Sequence, residues 1–225
     1  MRTMKQWWMP LLFVLVILPG AASGALIYDQ ATFIATLQPG YYLEDFSALV
    51  GPGEIMSPIA FSGGAFAYTA SAPGGFYSVQ TPGGSGNQVL STLFADDAIT
   101  LTFTSGNITA VGGFFLVTDI LGDIATGTIT LNFNDGTSVT LTNQTLSSFT
   151  GYLSPGLPIT SLIITAPQPD GEGGESRWPT VDDLIVGAVA ENGAPPDNGV
   201  IPEPSTLWLM AGGIVAVILG RRKTA

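Results

Sequence analysis

The stretch that most limits the fold runs from Thr128 to Thr142. Ile129, Leu131 and Phe133 alternate with Thr128, Thr130 and Asn132, and the alternation resumes at Val139 and Leu141 beyond Asn134-Asp135-Gly136. A period of two sends every second side chain to one face, so each side of the turn reads as a half-buried strand. Asn, Asp and Gly tolerate the left-handed backbone of a tight turn, which makes the tripeptide a hairpin signal. The segment predicts a hairpin with Ile129, Leu131, Phe133, Val139 and Leu141 on its core face.

The pattern extends in both directions. Ile99, Leu101 and Phe103 alternate with Thr100, Thr102 and Thr104. Ile108 to Val117 is apolar on both faces around Gly112-Gly113, as expected of a central strand with a bulge or a close approach at the glycines. Phe149 to Leu153, Ile159 to Thr165 and Val181 to Val186 read as later strands. Tyr41 to Phe46, Ala65 to Thr69 and Phe76 to Val79 read as earlier ones. Between Asp29 and Leu37, Phe33, Ile34 and Leu37 share one helical face, with Asp29 placed to cap and Pro39-Gly40 to terminate. The expectation is an all-β fold over residues 26–188: an antiparallel sandwich, jelly-roll-like, with one short N-terminal helix and a generic Greek-key sandwich as the alternative. The glycine-rich tract Thr81 to Asn87 lacks the Lys-Ser/Thr pair of a phosphate-binding loop and reads as a surface turn.

Both ends look like addresses rather than fold. Residues 1–25 have the order of a secretory signal: Arg2 and Lys5, an apolar run from Leu11 to Leu18, a break at Pro19-Gly20, then small residues ending at Ala25. A polar stretch rich in Pro, Gly and Asn, residues 189–199, reads as a linker. Residues 200–225 carry Pro202-Glu203-Pro204, an apolar run and the basic stop Arg221-Arg222-Lys223. Proline excludes helix up to Pro204, so a membrane helix is expected over 206–220. That span is short for the roughly 30 Å hydrocarbon core, and the basic end would snorkel outward on the cytoplasmic side.

Pro-Glu-Pro, the apolar run and the basic end together resemble the PEP-CTERM sorting signal of exported bacterial proteins. The resemblance covers about the last 24 of 225 residues. It implies a partner, an exosortase-type membrane protease that removes the tail, and a precursor held in the inner membrane through the C-terminal helix. It further implies export through that membrane, ending at the cell surface or outside the cell, and a host that makes extracellular polysaccharide.

Composition narrows the chemistry. The chain has neither Cys nor His, which removes disulfides, thiol nucleophiles, Cys/His zinc sites and histidine bases together. Of the 17 acids only Glu203 lies outside residues 26–200, and of the six bases only Arg177 lies inside. That region therefore holds 16 acids against one base, a net of −15. Nucleic acid is excluded as a partner, because neutralising phosphates takes Lys and Arg. An acidic surface suits solubility, cation binding or both.

Asp119 and Asp123, flanking Ile120-Leu121-Gly122, are the first candidates for a calcium site, and Asp182 at the last strand is the second. The competing reading is that these acids are solvated turn or capping residues, since Asp is common in turns. Tyr41, Tyr42, Tyr68, Tyr77, Tyr152 and Trp178 are candidates for a sugar platform, against the alternative that they fill the core. A glycosidase would need two acids about 5–10 Å apart across a cleft, and no motif marks such a pair. The sequence thus points to a structural or adhesive sandwich outside the cell. A calcium-assisted carbohydrate-binding module is the alternative reading, and no catalytic residue is assigned.

Overall fold

The computed structural model of the protein describes residues 24–49, 51–80, 88–169 and 176–190. The first half of the chain supplies β1 (Ala25–Ile27), α1 (Gln30–Ala35), β2 (Tyr42–Glu44), β3 (Gly53–Ile55), β4 (Ile59–Gly63), β5 (Phe66–Ser71), β6 (Phe76–Gln80) and β7 (Gln88–Thr92). The second half supplies β8 (Ile99–Phe103), β9 (Ala110–Thr118), β10 (Thr128–Phe133), β11 (Ser138–Thr142), β12 (Phe149–Leu153), β13 (Ser161–Thr165) and β14 (Trp178–Gly187). The larger sheet has the order β1-β12-β9-β14-β7-β6-β3, with β2 beside the C-terminal half of β14. The smaller sheet has the order β11-β10-β13-β8-β5-β4. Pairing is antiparallel throughout, so the expected all-β sandwich is what forms.

The hairpin follows its alternation. Ile129 pairs with Leu141, Leu131 with Val139 and Asn132 with Ser138, and Gly136 takes a φ of +87° at the turn. The core-facing residues Ile129, Leu131, Phe133, Val139 and Leu141 are all buried, joining Leu101, Phe115, Leu162 and Val181 between the sheets. Full burial of one such side chain contributes roughly 1.5–3 kcal/mol, so this inter-sheet layer is the main source of stability in a chain without disulfides.

Gly112 and Gly113 behave as the doubled apolar pattern requires. A Cβ on Gly112 would lie 2.6 Å from Phe149 Cζ and 3.1 Å from Gly151 Cα, and one on Gly113 would lie 3.1 Å from the Asp182 carbonyl. The bulge is on the neighbouring strand: the β14–β9 register shifts between Asp182 and Ile185, and Asp183 sits at a φ of +45°. The helix is capped as expected, with Thr32 N donating to Asp29 Oδ1 at 2.7 Å. It covers one end of the larger sheet's outer face, where Phe33 and Leu37 meet Phe149, Leu153 and Ile185.

β1 begins at Ala25, which pairs with Leu153; Leu26 and Ile27 pair with Tyr152 and Gly151. The start of the stretch read as linker is fastened to the sandwich: Leu37 bridges to Val189, and Ala190 N donates to the Thr36 carbonyl at 2.9 Å. Among the described residues no helix is long and apolar enough to cross a membrane. The leader before Gly24, the span expected over 206–220, Pro202-Glu203-Pro204 and Arg221-Arg222-Lys223 lie outside the described residues.

Candidate binding groove

Alternation assigns the faces of the larger sheet. Phe76 on β6, Leu90 on β7, Val117 on β9 and Val181 on β14 point into the inter-sheet core. Their strand neighbours Tyr77, Ser91, Thr118, Trp178 and Thr180 therefore face outward. Strand order brings these distant positions together: Ser91 pairs with both Tyr77 and Thr180, and Trp178 pairs with Thr118. On this half of the face lies a groove of about 270 Å³, lined by Tyr77, Val79, Ser91, Leu93, Asp119 and Trp178 among others.

Ser91 and Thr118 line the groove, and Thr180 links their hydroxyls into a chain from the sheet beside it. Thr118 Oγ1 and Thr180 Oγ1 are 2.8 Å apart, and Thr180 donates to Ser91 Oγ at 2.9 Å. All three residues are buried, so the chain fixes its members' rotamers where an unpaired hydroxyl would be costly. The Trp178 indole N–H points at the Leu93 carbonyl at 3.4 Å, which orients a half-buried ring along the groove.

One wall is the turn after β9. Asp119 N donates to the Asp123 carbonyl at 2.9 Å, and Asp119 Oδ1 accepts from Leu121 N at 2.8 Å and Asp123 N at 2.9 Å. Gly122 closes the turn at a φ of +85°, and a Cβ there would lie 2.6 Å from Val79 Cγ2, so glycine lets the wall press against the sheet. Ile120 and Leu121 remain 78% and 72% exposed at the rim.

The structure thus brings Asp119 and Asp123 together, as the two ends of one turn with an Asp119 carboxylate oxygen bonded to backbone amides. Asp182 is elsewhere, opposite Phe114 beside the β14 bulge. Burial pushes its carboxyl up to about 6, with the charges of Asp183 and Asp45 adding to the shift. Burial raises Asp183 as well, again with Asp45 contributing. Among the described residues no three His, Cys, Asp or Glu side chains converge as a metal site. Asp170, Glu172 and Glu175 lie outside those residues.

The aromatic candidates divide by burial. Tyr68 and Tyr152 are core residues, 1% and 2% exposed, and Tyr42 packs against the same core while its hydroxyl donates to Glu44. Tyr41 is exposed beside β2. Tyr77 and Trp178 are the two that line the groove. Arg177, next to Trp178, lies along Gly127 and uses its backbone N–H on Gln168 Oε1 at 3.0 Å. Ser91, Thr118 and Thr180 carried no sequence signal: each is an ordinary strand residue until the sheet order juxtaposes them.

Fold and groove together define an acidic all-β sandwich with an open, aromatic- and hydroxyl-lined groove on the outer face of its larger sheet. Residues 200–223 match the PEP-CTERM protein-sorting motif. The chain therefore carries the sorting tail of exported proteins whose membrane-anchored precursor is processed by exosortase, a membrane protease. No curated protein and no solved structure matches the chain.

Proposed function

We propose that this is a cell-surface or extracellular-matrix protein whose sandwich adheres to neutral polysaccharide through the groove. The observation that carries the reading is the pairing of Tyr77 and Trp178 in one concave site with Ser91 and Thr118, whose hydroxyls are held in place by Thr180. Flat apolar rings with polar edges suit the faces of sugar rings, and fixed polar groups beside them give orientation. A region at net −15 repels anionic polymers, which leaves neutral ones. The strand orders β7-β14-β9-β12 and β8-β13-β10-β11, wound by repeated crossing between sheets, support the jelly-roll form of the sandwich.

Binding without turnover is the reading for this site. Asp119 is the one carboxylate among the described groove-lining residues, and glycoside hydrolysis takes two. The test is retention of the exported protein on immobilised neutral polysaccharides, with and without calcium. Trp178→Ala should abolish retention while leaving the circular dichroism spectrum unchanged. Retention by Trp178→Ala at the wild-type level would rule the groove out. Retention only with calcium would move the ligand to an ion-assisted site at the acids.

A further inference from the structure

Among the described residues the strands of the smaller sheet carry not one charged residue. β4 (Ile59–Gly63), β5, β8, β10, β11 and β13 present only Thr, Ser, Asn, Gly, Ala and larger apolar side chains. The larger sheet holds Glu44, Glu54, Asp182 and Asp183. Against 16 acids between residues 26 and 200, one sheet has been kept neutral.

At the end of that neutral sheet lies β11, which among the described residues pairs on one side only, with β10. Ser138, Thr140 and Thr142 are exposed, while Val139 and Leu141 beneath them are 6% and 7% exposed at the margin of the core. An open edge presents a row of unpaired N–H and C=O groups, and monomeric proteins usually blunt it with charge, proline, a bulge or brevity. The other ends of the sheets are blunted. β1 and β3 have three residues each, β3 includes Glu54, and the Tyr42 ring lies against Gly63 of β4. β11 has five residues and none of these devices.

We infer that β11 pairs with β11 of a second copy of this chain, antiparallel about a two-fold axis at Thr140. The strand is self-complementary in that arrangement. Thr140 meets Thr140, Ser138 meets Thr142, and Val139 meets Leu141 at the core margin. These repeat pairings that β11 already makes with β10, where Thr140 faces Thr130, Thr142 faces Thr128 and Val139 faces Leu131. Such an interface is isologous, as a two-fold requires.

Charge selects the same occupant. Two copies at net −15 repel, so their contact must lie where acids are absent. The acid nearest in sequence, Asp135 in the hairpin turn, has its carboxylate bonded by Thr137 N at 2.8 Å and by the Tyr152 hydroxyl. The two-fold sends the two Asp135 side chains to opposite ends of the contact. A different protein would be expected to find aromatic or arginine anchors, and this edge offers none.

The test uses the absence of cysteine. Antiparallel partners have Cα atoms about 4.5 or 5.5 Å apart, inside the roughly 4.4–6.8 Å that a disulfide spans. Mild oxidation of the exported protein should convert most of a Thr140→Cys variant to a covalent dimer. Thr102→Cys, exposed in the middle of the same sheet, should stay largely monomeric. In sedimentation velocity the wild type should reach twice the monomer mass, more readily as salt screens the repulsion. Thr140→Asp, which sets like charges opposite each other on the axis, should remain monomeric while still melting cooperatively. Equal cross-linking at positions 140 and 102, a dimeric Thr140→Asp, or a wild type monomeric at every concentration and ionic strength would overturn the inference.

Discussion

Replacing Asp182 by Asn should stabilise the sandwich at neutral pH and do little at pH 4. Asp182 is 9% exposed, and burial raises its carboxyl from the ordinary 3.8 to about 6. The folded state therefore holds a proton at pH values where the unfolded chain has lost it. Stability from this group is present in full below about pH 4 and declines as pH rises toward 6, because unfolding then releases the proton. A shift of about two pH units corresponds to roughly 3 kcal/mol. Part of the carboxyl reaches solvent, so screening lowers this to about 1–2 kcal/mol. For a domain of this size that is about 2–8 °C in melting temperature. Asn keeps an oxygen to accept the Asp183 N–H, 2.9 Å away in the wild type, and removes the charge. Asp183 shifts the same way and remains, so the variant's pH profile should flatten without becoming level. Asp29 and Asp45, held low by hydrogen bonds from Thr32 and Ser47, act in the opposite sense, and their contribution is lost only as pH falls through their lowered pKa values. Thermal melts of both proteins between pH 4 and 8 at constant ionic strength are the assay. Identical melts across that range, or a larger gap at pH 4 than at pH 8, would refute the reasoning. A calcium arm separates the other role for Asp182: a ligand there would let the ion stabilise the wild type beyond ionic-strength-matched sodium chloride, by about 2.7 kcal/mol at 100 times its dissociation constant. Asp182→Asn would then lose that increment.

Leu131→Asp should abolish cooperative unfolding, because it would bury a charge between Val139 and Ile164 with nothing to pair it; a folded variant with a sharp melt would disprove the hairpin's register. In its own host the exported protein should end near Pro204 to Thr206 by intact mass, as expected for a tail matching the sorting motif. A mature molecule still carrying Arg221-Arg222-Lys223 would instead point to a permanent tail anchor.

The sequence discloses an element most fully when one face of it meets water. The Thr128 to Thr142 hairpin was legible to the residue, because its outward positions are Thr, Asn and Ser and its inward ones are apolar. The helix was legible from Asp29 and the Phe33/Leu37 face. β7 was not, although it lies between β14 and β6 near the middle of the larger sheet: Gln88–Thr92 has only Val89 and Leu90 as apolar residues, adjacent to each other, so it shows neither alternation nor an apolar run. The short strands β1, β3 and β4 were lost for a different reason. β1 follows a run of small residues that reads as leader, and the other two adjoin Pro52 and Pro58. Tyr77 and Trp178 stand out in the sequence as sugar-platform candidates and Asp119 as a calcium ligand. Only the order β6-β7-β14-β9 makes them one site, and no local pattern encodes it.

The two sheets ask for different partners, and their geometry connects the two proposals. In antiparallel edge pairing that keeps Thr140 of both copies on the same face, the two-fold axis stands perpendicular to the joined sheet. Both larger sheets then lie on the same side of it, and both grooves, on the outer faces of those sheets, open in the same direction. A groove of about 270 Å³ is small for a binding site and should hold sugar weakly. Two grooves aimed at one polysaccharide surface make the second contact intramolecular, which can raise overall affinity by about 10²–10⁴ without a new contact. Thr140→Asp should therefore weaken retention on a dense polysaccharide matrix while leaving the affinity for a short soluble fragment unchanged. Loss of both would place Thr140 within the binding site itself, and loss of neither would mean that each groove acts alone.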